Sequence, residues 1–142
     1  MALGEPGYPS YRQILRALSL TPVGIQTAPE DRYQPRPDGI PGDVQGLIVA
    51  SPANPSGTML GHGALAALIG AAADKGVSFV SDEIYHGLHY EGRAVSALEV
   101  SDEVYVINSF SKYFSMTGWR IGWMVVPETH VRSVERLSQN MF

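Results

Sequence analysis

The sequence predicts an α/β fold of three layers, in which a mainly parallel sheet is flanked by helices. Short apolar runs recur along the chain, and stretches with helical periodicity or long crossovers separate them. The composition agrees, because 44% of the 142 residues are hydrophobic and 17% are charged, as in chains that form a folded core. At roughly 100–200 residues per domain, this length predicts a single domain or part of one.

The amino-terminal half contains one predicted helix and two predicted strands. Ser10 and Gln13 have the spacing of a capping box, and apolar residues follow them at helical spacing. Residues 21–27 form a short strand candidate, and residues 28–42 are rich in Pro and Gly, which indicates a long connection. Residues 47–50 are apolar throughout and predict a strand that is buried on both faces.

The second half of the chain alternates in the same way. Turn-forming residues fill positions 51–58, and a helix is predicted over residues 62–75 with Gly76 as its cap. Further apolar runs predict strands over residues 77–81, 104–108 and 121–126. Pro127 then opens a last helix, whose apolar residues fall on one stripe: Val131, Val134, Leu137 and Met141.

Charge and cysteine content exclude several kinds of protein. The chain has no cysteine, which removes disulfide frameworks, thiolate nucleophiles and cysteine-based zinc sites. Its formal net charge of −4 argues against a general nucleic-acid or anionic-membrane surface. The sequence shows no targeting segment and no apolar run long enough to span a bilayer. We therefore expect a cytoplasmic protein with no membrane or nucleic-acid partner and no metal site.

Polar residues collect where the predicted strands end. In an open parallel sheet, ligands bind beyond the carboxyl ends of the strands. The residues found at these positions are Asn54, Asp82, Glu83, Tyr85, Ser109, Ser111 and Lys112, with Arg120 a little further along the chain. The sequence therefore predicts a binding site at this edge of the sheet.

The residue types at this edge fit pyridoxal 5′-phosphate, although their spacing alone does not identify the cofactor. An arginine fork and small hydroxyls bind phosphate. A carboxylate keeps a pyridinium nitrogen protonated, and a lysine forms an imine with an aldehyde. Tyrosine and asparagine side chains can both donate to a phenolic oxygen.

Short motifs in a particular order make the comparison with a known family possible. They are Asn-Pro-Ser-Gly at 54–57, Asp-Glu-Ile-Tyr at 82–85, Ser-Phe-Ser-Lys at 109–112 and Thr-Gly-Trp-Arg-Ile-Gly at 117–122. Together with Pro-Gly-Tyr-Pro-Ser-Tyr at 6–11, this order resembles the class I/II aminotransferases, which are fold-type I pyridoxal-phosphate enzymes. The resemblance covers nearly the whole chain. It implies that residues 1–142 are a single partial domain, the cofactor-binding core from the centre of an aminotransferase large domain.

The resemblance implies roles for four residues around the cofactor ring. Lys112 would carry the internal aldimine and move a proton between the substrate α-carbon and the cofactor. Asp82 would pair with the pyridine nitrogen, and Tyr85 and Asn54 would hydrogen-bond the phenolic oxygen. Lys112, Asp82 and Tyr85 are thus the expected catalytic residues.

The resemblance also implies which residues hold the phosphate and cover the ring. Ser109, Ser111 and Arg120 would bind the phosphate, and Tyr8 lies where the family stacks an aromatic residue on the ring. The family's glycine-rich phosphate loop would precede Tyr8, and its arginine for the substrate carboxylate would follow residue 142. Family members are usually homodimers, so we expect the parent protein to be one.

The function that the resemblance implies is transfer of an amino group between an amino acid and a 2-oxo acid. Two alternatives remain open. A β-elimination lyase can use the same scaffold and cofactor, and the substrate arginine and pocket would distinguish it. An aminotransferase-like domain can also serve a transcription regulator as a non-catalytic sensor, which would require a helix-turn-helix domain upstream.

Three other features have competing interpretations. Residues 61–66 fit the glycine pattern of dinucleotide sites, but they do not directly follow a predicted strand, so a helix start is favoured. His86 and His89 could begin a metal site, yet no third ligand is placed to complete it. Glu83 could be a catalytic acid, although such a neighbour of a functional aspartate more often points away and packs or caps.

Overall fold

The computed structural model of the chain describes residues 1–141 and has the predicted α/β architecture. Within those residues six strands form one sheet: β1 Ala2–Glu5, β2 Val23–Gln26, β3 Gly46–Ala50, β4 Ser78–Asp82, β5 Tyr105–Ser109 and β6 Gly122–Val125. The same residues contain three α-helices: α1 Pro9–Ala17, α2 His62–Asp74 and α3 Glu128–Met141.

The sheet is mainly parallel, and its strands lie in the order β2-β1-β3-β4-β5-β6. The pairs from β2 to β5 are all parallel, whereas β6 runs antiparallel to β5. Ala50 is paired with Asp82, and Asp82 with Ile107, so β3, β4 and β5 end side by side. Most of the predicted functional residues lie at the ends of these three strands or in the turns after them, and the exceptions are Tyr8 and Arg120.

The predicted capping box at Ser10 and Gln13 is wrong. Helix α1 begins at Pro9, Tyr8 takes the N-cap position, and no side chain there makes a capping hydrogen bond. Proline explains the earlier start, because its fixed φ suits the first helical position, where its missing N–H is not needed. The helix therefore begins before Ser10 instead of after it.

The end of α2 differs from the prediction by one residue. The helix ends at Asp74, Lys75 is its cap, and Gly76 follows with a φ of +67°. Glycine adopts this left-handed conformation without a steric penalty, which is why it is common directly after a helix cap.

The centre of the sheet is covered by α2. Its buried residues Leu65, Leu68, Ile69 and Ala72 recur at the three- and four-residue spacing of one helix face. They join Leu47 of β3 and Phe79 of β4 in one apolar cluster. Burying a leucine side chain contributes roughly 1.5–3 kcal/mol, so this cluster is the main support of β3 and β4.

By contrast, β6 and α3 are exposed. All four residues of β6 are exposed, and α3 has no buried residue within residues 1–141. The predicted apolar stripe of α3 exists as a helix face, but Leu137 and Met141 on it are 58% and 60% exposed. Neither α3 nor any other helix in the described part of the chain has the length and apolar character that crossing a membrane requires.

Candidate active site

A cleft of about 280 Å³ lies beyond the carboxyl ends of β3, β4 and β5. It is lined by every predicted site residue except Ser109, namely Tyr8, Asn54, Asp82, Tyr85, Ser111, Lys112 and Arg120. Three residues that were not predicted complete the lining: Tyr11, Ile84 and Thr117. The parallel strands thus bring together side chains that are distant in sequence.

Asp82 is the last residue of β4 and is held from two sides. The backbone N–H of Ile84 donates to its Oδ1 at 3.1 Å, and the hydroxyl of Tyr11 donates to its Oδ2. Burial raises the pKa of Tyr11 above its ordinary value, and the charge and hydrogen bond of Asp82 raise that pKa further. Tyr11 therefore remains a protonated donor and fixes the orientation of the Asp82 carboxylate.

Tyr11 lines the cleft and contacts Asp82, although the sequence motifs did not predict a place for it in the site. It ends the Pro-Gly-Tyr-Pro-Ser-Tyr motif and lies on α1, while Tyr8 is the cap of that helix. Their rings contact edge to face, with centroids 5.4 Å apart and planes at 82°. The spacing of the two tyrosines at a helix start was the available signal, because residues three apart share a helix face.

Asn54 and Tyr85 meet from two different turns. Asn54 lies in the turn after β3, Tyr85 lies in the turn after β4, and the Asn54 amide donates to the Tyr85 hydroxyl oxygen at 3.4 Å. The second amide hydrogen of Asn54 and the hydroxyl hydrogen of Tyr85 can still donate to a third group. The pair can therefore present two donors to one oxygen of a ligand.

Lys112 approaches the same space from the turn after β5. Its Nζ is 5.8 Å from the centroid of the Tyr85 ring, which is within the range of a cation–π contact. The turn is closed by the N–H of Ser115, which donates to the carbonyl of Lys112 at 3.0 Å. The backbone of Lys112 is thus held while its side chain is exposed to the cleft.

Hydroxyl and guanidinium donors gather beside Lys112. The hydroxyl of Ser109 accepts from the N–H of Ser111 at 3.0 Å and lies 2.8 Å from the Ser111 hydroxyl oxygen, so Ser109 sits behind Ser111. Arg120 has a left-handed backbone with φ of 56°, and its Nη1 donates to the carbonyl of Thr117 at 2.9 Å. The remaining N–H groups of this guanidinium are able to bind an anion.

The three features with competing interpretations lie outside the cleft lining. Gly61 is the N-cap of α2 and Gly63 lies inside that helix, and a Cβ at either position would meet no atom within 4 Å. In the part of the chain that the structure describes, no group of three or more His, Cys, Asp and Glu side chains is placed to hold a metal ion. Glu83 is buried and accepts hydrogen bonds from Ser96 and Ala97, as predicted for a residue that packs or caps.

The fold and cleft define an α/β protein with a cleft at the carboxyl ends of its parallel strands, which is where proteins with open parallel sheets bind ligands. Residues 2–142 match the family model described as aminotransferase class I and II. The valine–pyruvate aminotransferase of Mycobacterium tuberculosis is 43% identical, over 99% of this chain and 37% of that protein. The chain therefore belongs to the class I and II aminotransferase family.

Solved structures agree with this family and confirm the predicted fold class. A candidate aminotransferase from Silicibacter pomeroyi is 68% identical, with a TM-score of 0.95 over 99% of this chain and 39% of that one. The aspartate aminotransferase of Thermus thermophilus with maleate is 32% identical, with a TM-score of 0.91 over 99% of this chain and 38% of that one. The chain spans a little more than a third of the length of the curated relatives it matches, 37% in the case of the Mycobacterium protein.

Proposed function

We propose that residues 1–142 form a single partial domain, the cofactor-binding core of an aminotransferase large domain. The full-length protein uses pyridoxal 5′-phosphate to transfer an amino group between an amino acid and a 2-oxo acid. The observation that carries this proposal is the cleft, because it gathers a lysine amine, a carboxylate and a guanidinium around one space of about 280 Å³. Membership of the aminotransferase family supports the same class of reaction.

The donors of the cleft fit each polar part of pyridoxal phosphate. Asp82 offers a carboxylate to the ring nitrogen, and Asn54 and Tyr85 offer two donors to the phenolic oxygen. Arg120 and Ser111 offer a charged and a neutral donor to the phosphate. When bound, the cofactor supplies an aldehyde that captures amines and a ring that accepts electron density from the substrate α-carbon.

The side chains divide the work of attachment, orientation and proton transfer. Lys112 is the proposed attachment point, and its Nζ takes up and returns the proton of the substrate α-carbon. Asp82, oriented by Tyr11, would offer its carboxylate to the ring nitrogen. Tyr8 lines the cleft and would cover one face of the bound ring, and Ser109 orients Ser111 through the contact between their hydroxyls.

The substrates are proposed as a class. The names of two relatives each join an amino acid to an oxo acid, valine with pyruvate and aspartate with prephenate. We therefore propose an amino acid donor and a 2-oxo acid acceptor for this protein. By the same family argument, the full-length protein is proposed to be a cytoplasmic homodimer.

Borohydride reduction tests the proposed attachment in the full-length protein. With added pyridoxal phosphate, the protein should show a visible absorption band, and peptide mapping after reduction should find the label on Lys112. The other lysine of this chain is Lys75, which caps the end of α2 and whose Nζ donates to the carbonyl of Ile40. Lys112→Ala should abolish the label, whereas Lys75→Ala, the matched control, should keep it.

The reaction class is tested with the same preparation. Incubation with amino acids and 2-oxo acids should yield the exchanged pair of products. Absence of both the visible band and the Lys112 label would overturn the cofactor assignment. A label on Lys112 combined with loss of a β-substituent, and no amino-group transfer, would replace transamination by elimination.

A further inference from the structure

We propose that buried Glu83 and partly buried His86 form a pair that positions Asn54 and Tyr85 as donors to the cofactor's phenolic oxygen. This inference rests on the function proposed above. Neither Glu83 nor His86 lines the cleft, so the two residues act through the turns that they connect. They are positioning residues, and their effect on the ligand passes through Asn54 and Tyr85.

Glu83 anchors the pair in the interior. Its side chain is buried, and its Oε1 accepts from the N–H of Ala97 at 2.8 Å and from the hydroxyl of Ser96 at 3.0 Å. The hydroxyl of Ser81 lies 3.2 Å from the same oxygen. A buried carboxylate is costly unless it is paired. Because these three donors all approach Oε1, the partner of Oε2 must come from elsewhere.

His86 connects Oε2 of Glu83 to the turn that carries Asn54. Its Nδ1 is 3.5 Å from this oxygen, and its Nε2 is 3.0 Å from the carbonyl oxygen of Ser51. A carbonyl oxygen can only accept, so Nε2 carries a proton and donates it to Ser51. Ser51 directly follows β3, and the turn that it begins contains Asn54. The imidazole therefore ties the turn after β4 to the turn after β3.

The contact between His86 and Glu83 completes the pair. Nδ1 of His86 and Oε2 of Glu83 face each other at 3.5 Å, an ion-pair distance. Oε1 of Glu83 and Nε2 of His86 have their own partners, so this contact is what joins the two side chains. The pair therefore acts as one unit.

The bridge from Glu83 through His86 to Ser51 holds Asn54 and Tyr85 in place more firmly than the direct contact between them can. Tyr85 lies between Glu83 and His86 in sequence, and the N–H of His86 donates to the carbonyl of Glu83 at 2.9 Å to close that turn. The direct contact from Asn54 to Tyr85 is 3.4 Å, which is long for a hydrogen bond. The relative placement of Asn54 and Tyr85 thus depends on the bridge behind them.

Variants of His86 separate the bridge from simple packing. In His86→Gln, the side-chain amide nitrogen can take the place of Nε2 and keep the bond to Ser51. In His86→Leu, a similar volume remains but both polar contacts are lost. His89→Leu is the matched control, because His89 lies in the same segment and outside the cleft lining.

Hydrogen exchange in the cofactor-free, full-length protein is the first measurement. Backbone amides of residues 51–58 should exchange about tenfold faster in His86→Leu, since a bond that holds their turn is lost. Exchange should stay at the original rate in His86→Gln and His89→Leu. This measurement needs no cofactor, so its failure is distinct from failure of the Lys112 labelling experiment.

The visible absorption of the cofactor-loaded protein is the second measurement. The midpoint of its pH titration should move in His86→Leu in the same direction as in Tyr85→Phe, because both changes weaken donation to the phenolic oxygen. In the double variant, the shift should be smaller than the sum of the two single shifts, since both act on one contact. Additive shifts, or unchanged exchange in His86→Leu, would overturn the proposal.

Glu83→Gln supplies the conservative rescue on the other side of the bridge. Its side-chain oxygen can keep the donors of Ser96 and Ala97, and its amide nitrogen can donate to Nδ1 of His86. This variant should retain the original exchange rate at residues 51–58 and the original titration midpoint. A Glu83→Gln protein that behaves like His86→Leu would contradict the assigned contacts.

Discussion

Asn54, Asp82 and Tyr85 follow strands that α2 covers, whereas Lys112 and Arg120 lie beside β6, whose residues are all exposed. Beneath α2, the turns after β3 and β4 are fixed by buried polar contacts, such as those of Glu83. This chain's own core therefore supports the proposed partners of the cofactor ring. The proposed attachment and phosphate residues depend on a strand at the edge of the sheet.

The turn that carries Lys112, beside the edge strand β6, is supported by contacts between aromatic rings. Phe110 contacts both Phe114 and Trp123, with ring centroids 5.1 Å and 5.0 Å apart. The N–H of Met116 donates to the carbonyl of Phe110 at 3.1 Å and closes the turn around Lys112. Aromatic pairs of this kind contribute about 0.5–1.5 kcal/mol beyond their burial, so the turn is held, but with less buried area than α2 provides.

The largest effect on stability is expected from a substitution on the face of α2 that is buried against the sheet. Leu68→Ala should lower the free energy of unfolding by about 2–5 kcal/mol, because it leaves a cavity between α2 and the sheet. Leu137→Ala on α3 should cost within about 0.5 kcal/mol, because Leu137 is 58% exposed. Urea unfolding of the full-length variants measures both changes.

The Leu137→Ala variant tests whether α3 is also exposed in the full-length protein. If Leu137→Ala costs as much as Leu68→Ala, then α3 packs against a surface outside residues 1–141, and the contrast between the two sides does not hold in the full-length protein. A small cost for Leu68→Ala would contradict the central place given to α2.

An intermediate effect is expected at Asp82, on the covered side of the cleft. Tyr11→Phe removes the hydroxyl that donates to Oδ2, so the rate of amino-group transfer should fall about tenfold while Lys112 is still labelled. The kcat of the full-length protein measures the loss. An unchanged kcat would show that Ile84 alone orients Asp82.

The same variant predicts a change at alkaline pH. Burial first, and Asp82 second, raise the pKa of Tyr11 in the folded protein. The unfolded chain therefore releases the tyrosine proton at a lower pH than the folded one. Stability should be complete below about pH 10 and should decline as the pH rises above it. Tyr11→Phe should decline less, as measured by urea unfolding at neutral and alkaline pH.

Much of the cleft could be predicted because its residues depend on a simple rule. Asn54, Asp82 and Lys112 each follow an apolar run, and the carboxyl ends of parallel strands meet at one edge of a sheet. The rule needs only the strands and their order along the chain. It does not require knowledge of side-chain orientation, which is why these residues were identified without a structure.

Other features depend on tertiary contacts that local patterns do not contain. β1 has only two buried residues, Ala2 and Leu3, and becomes a strand because β2 and β3 pair with it on both edges. Tyr11 enters the cleft because Pro9 sets the start of α1 and so decides which helix face meets Asp82. The pair of Glu83 and His86 likewise exists only once the turns after β3 and β4 are neighbours.

The smallest effect is expected at a surface turn behind the covered side. Arg93 donates to both carboxylate oxygens of Glu99, at 2.7 Å and 2.9 Å, and the N–H of Ser96 donates to one of them at 3.0 Å. These bonds, that of Arg93 first, lower the pKa of Glu99 to about 2. Because the pKa is lowered, the stabilisation is complete above the ordinary carboxyl value of 4.5 and is lost as the pH falls toward 2.

Arg93→Gln should therefore raise the pH of acid unfolding slightly, and about 1 M salt should reduce the difference, because the pair is exposed and screened. Arg132→Gln is the matched control, since Arg132 also pairs with a surface glutamate, Glu135, at 3.1 Å. The turn at Ser96 to Glu99 contains the N–H of Ala97 that donates to Glu83. By contrast, no residue of α3, which carries Arg132, lines the cleft. Equal acid shifts in the two variants would show that the turn adds no more than any surface pair. A shift confined to Arg93→Gln would connect this exposed turn to the buried support of Asn54 and Tyr85.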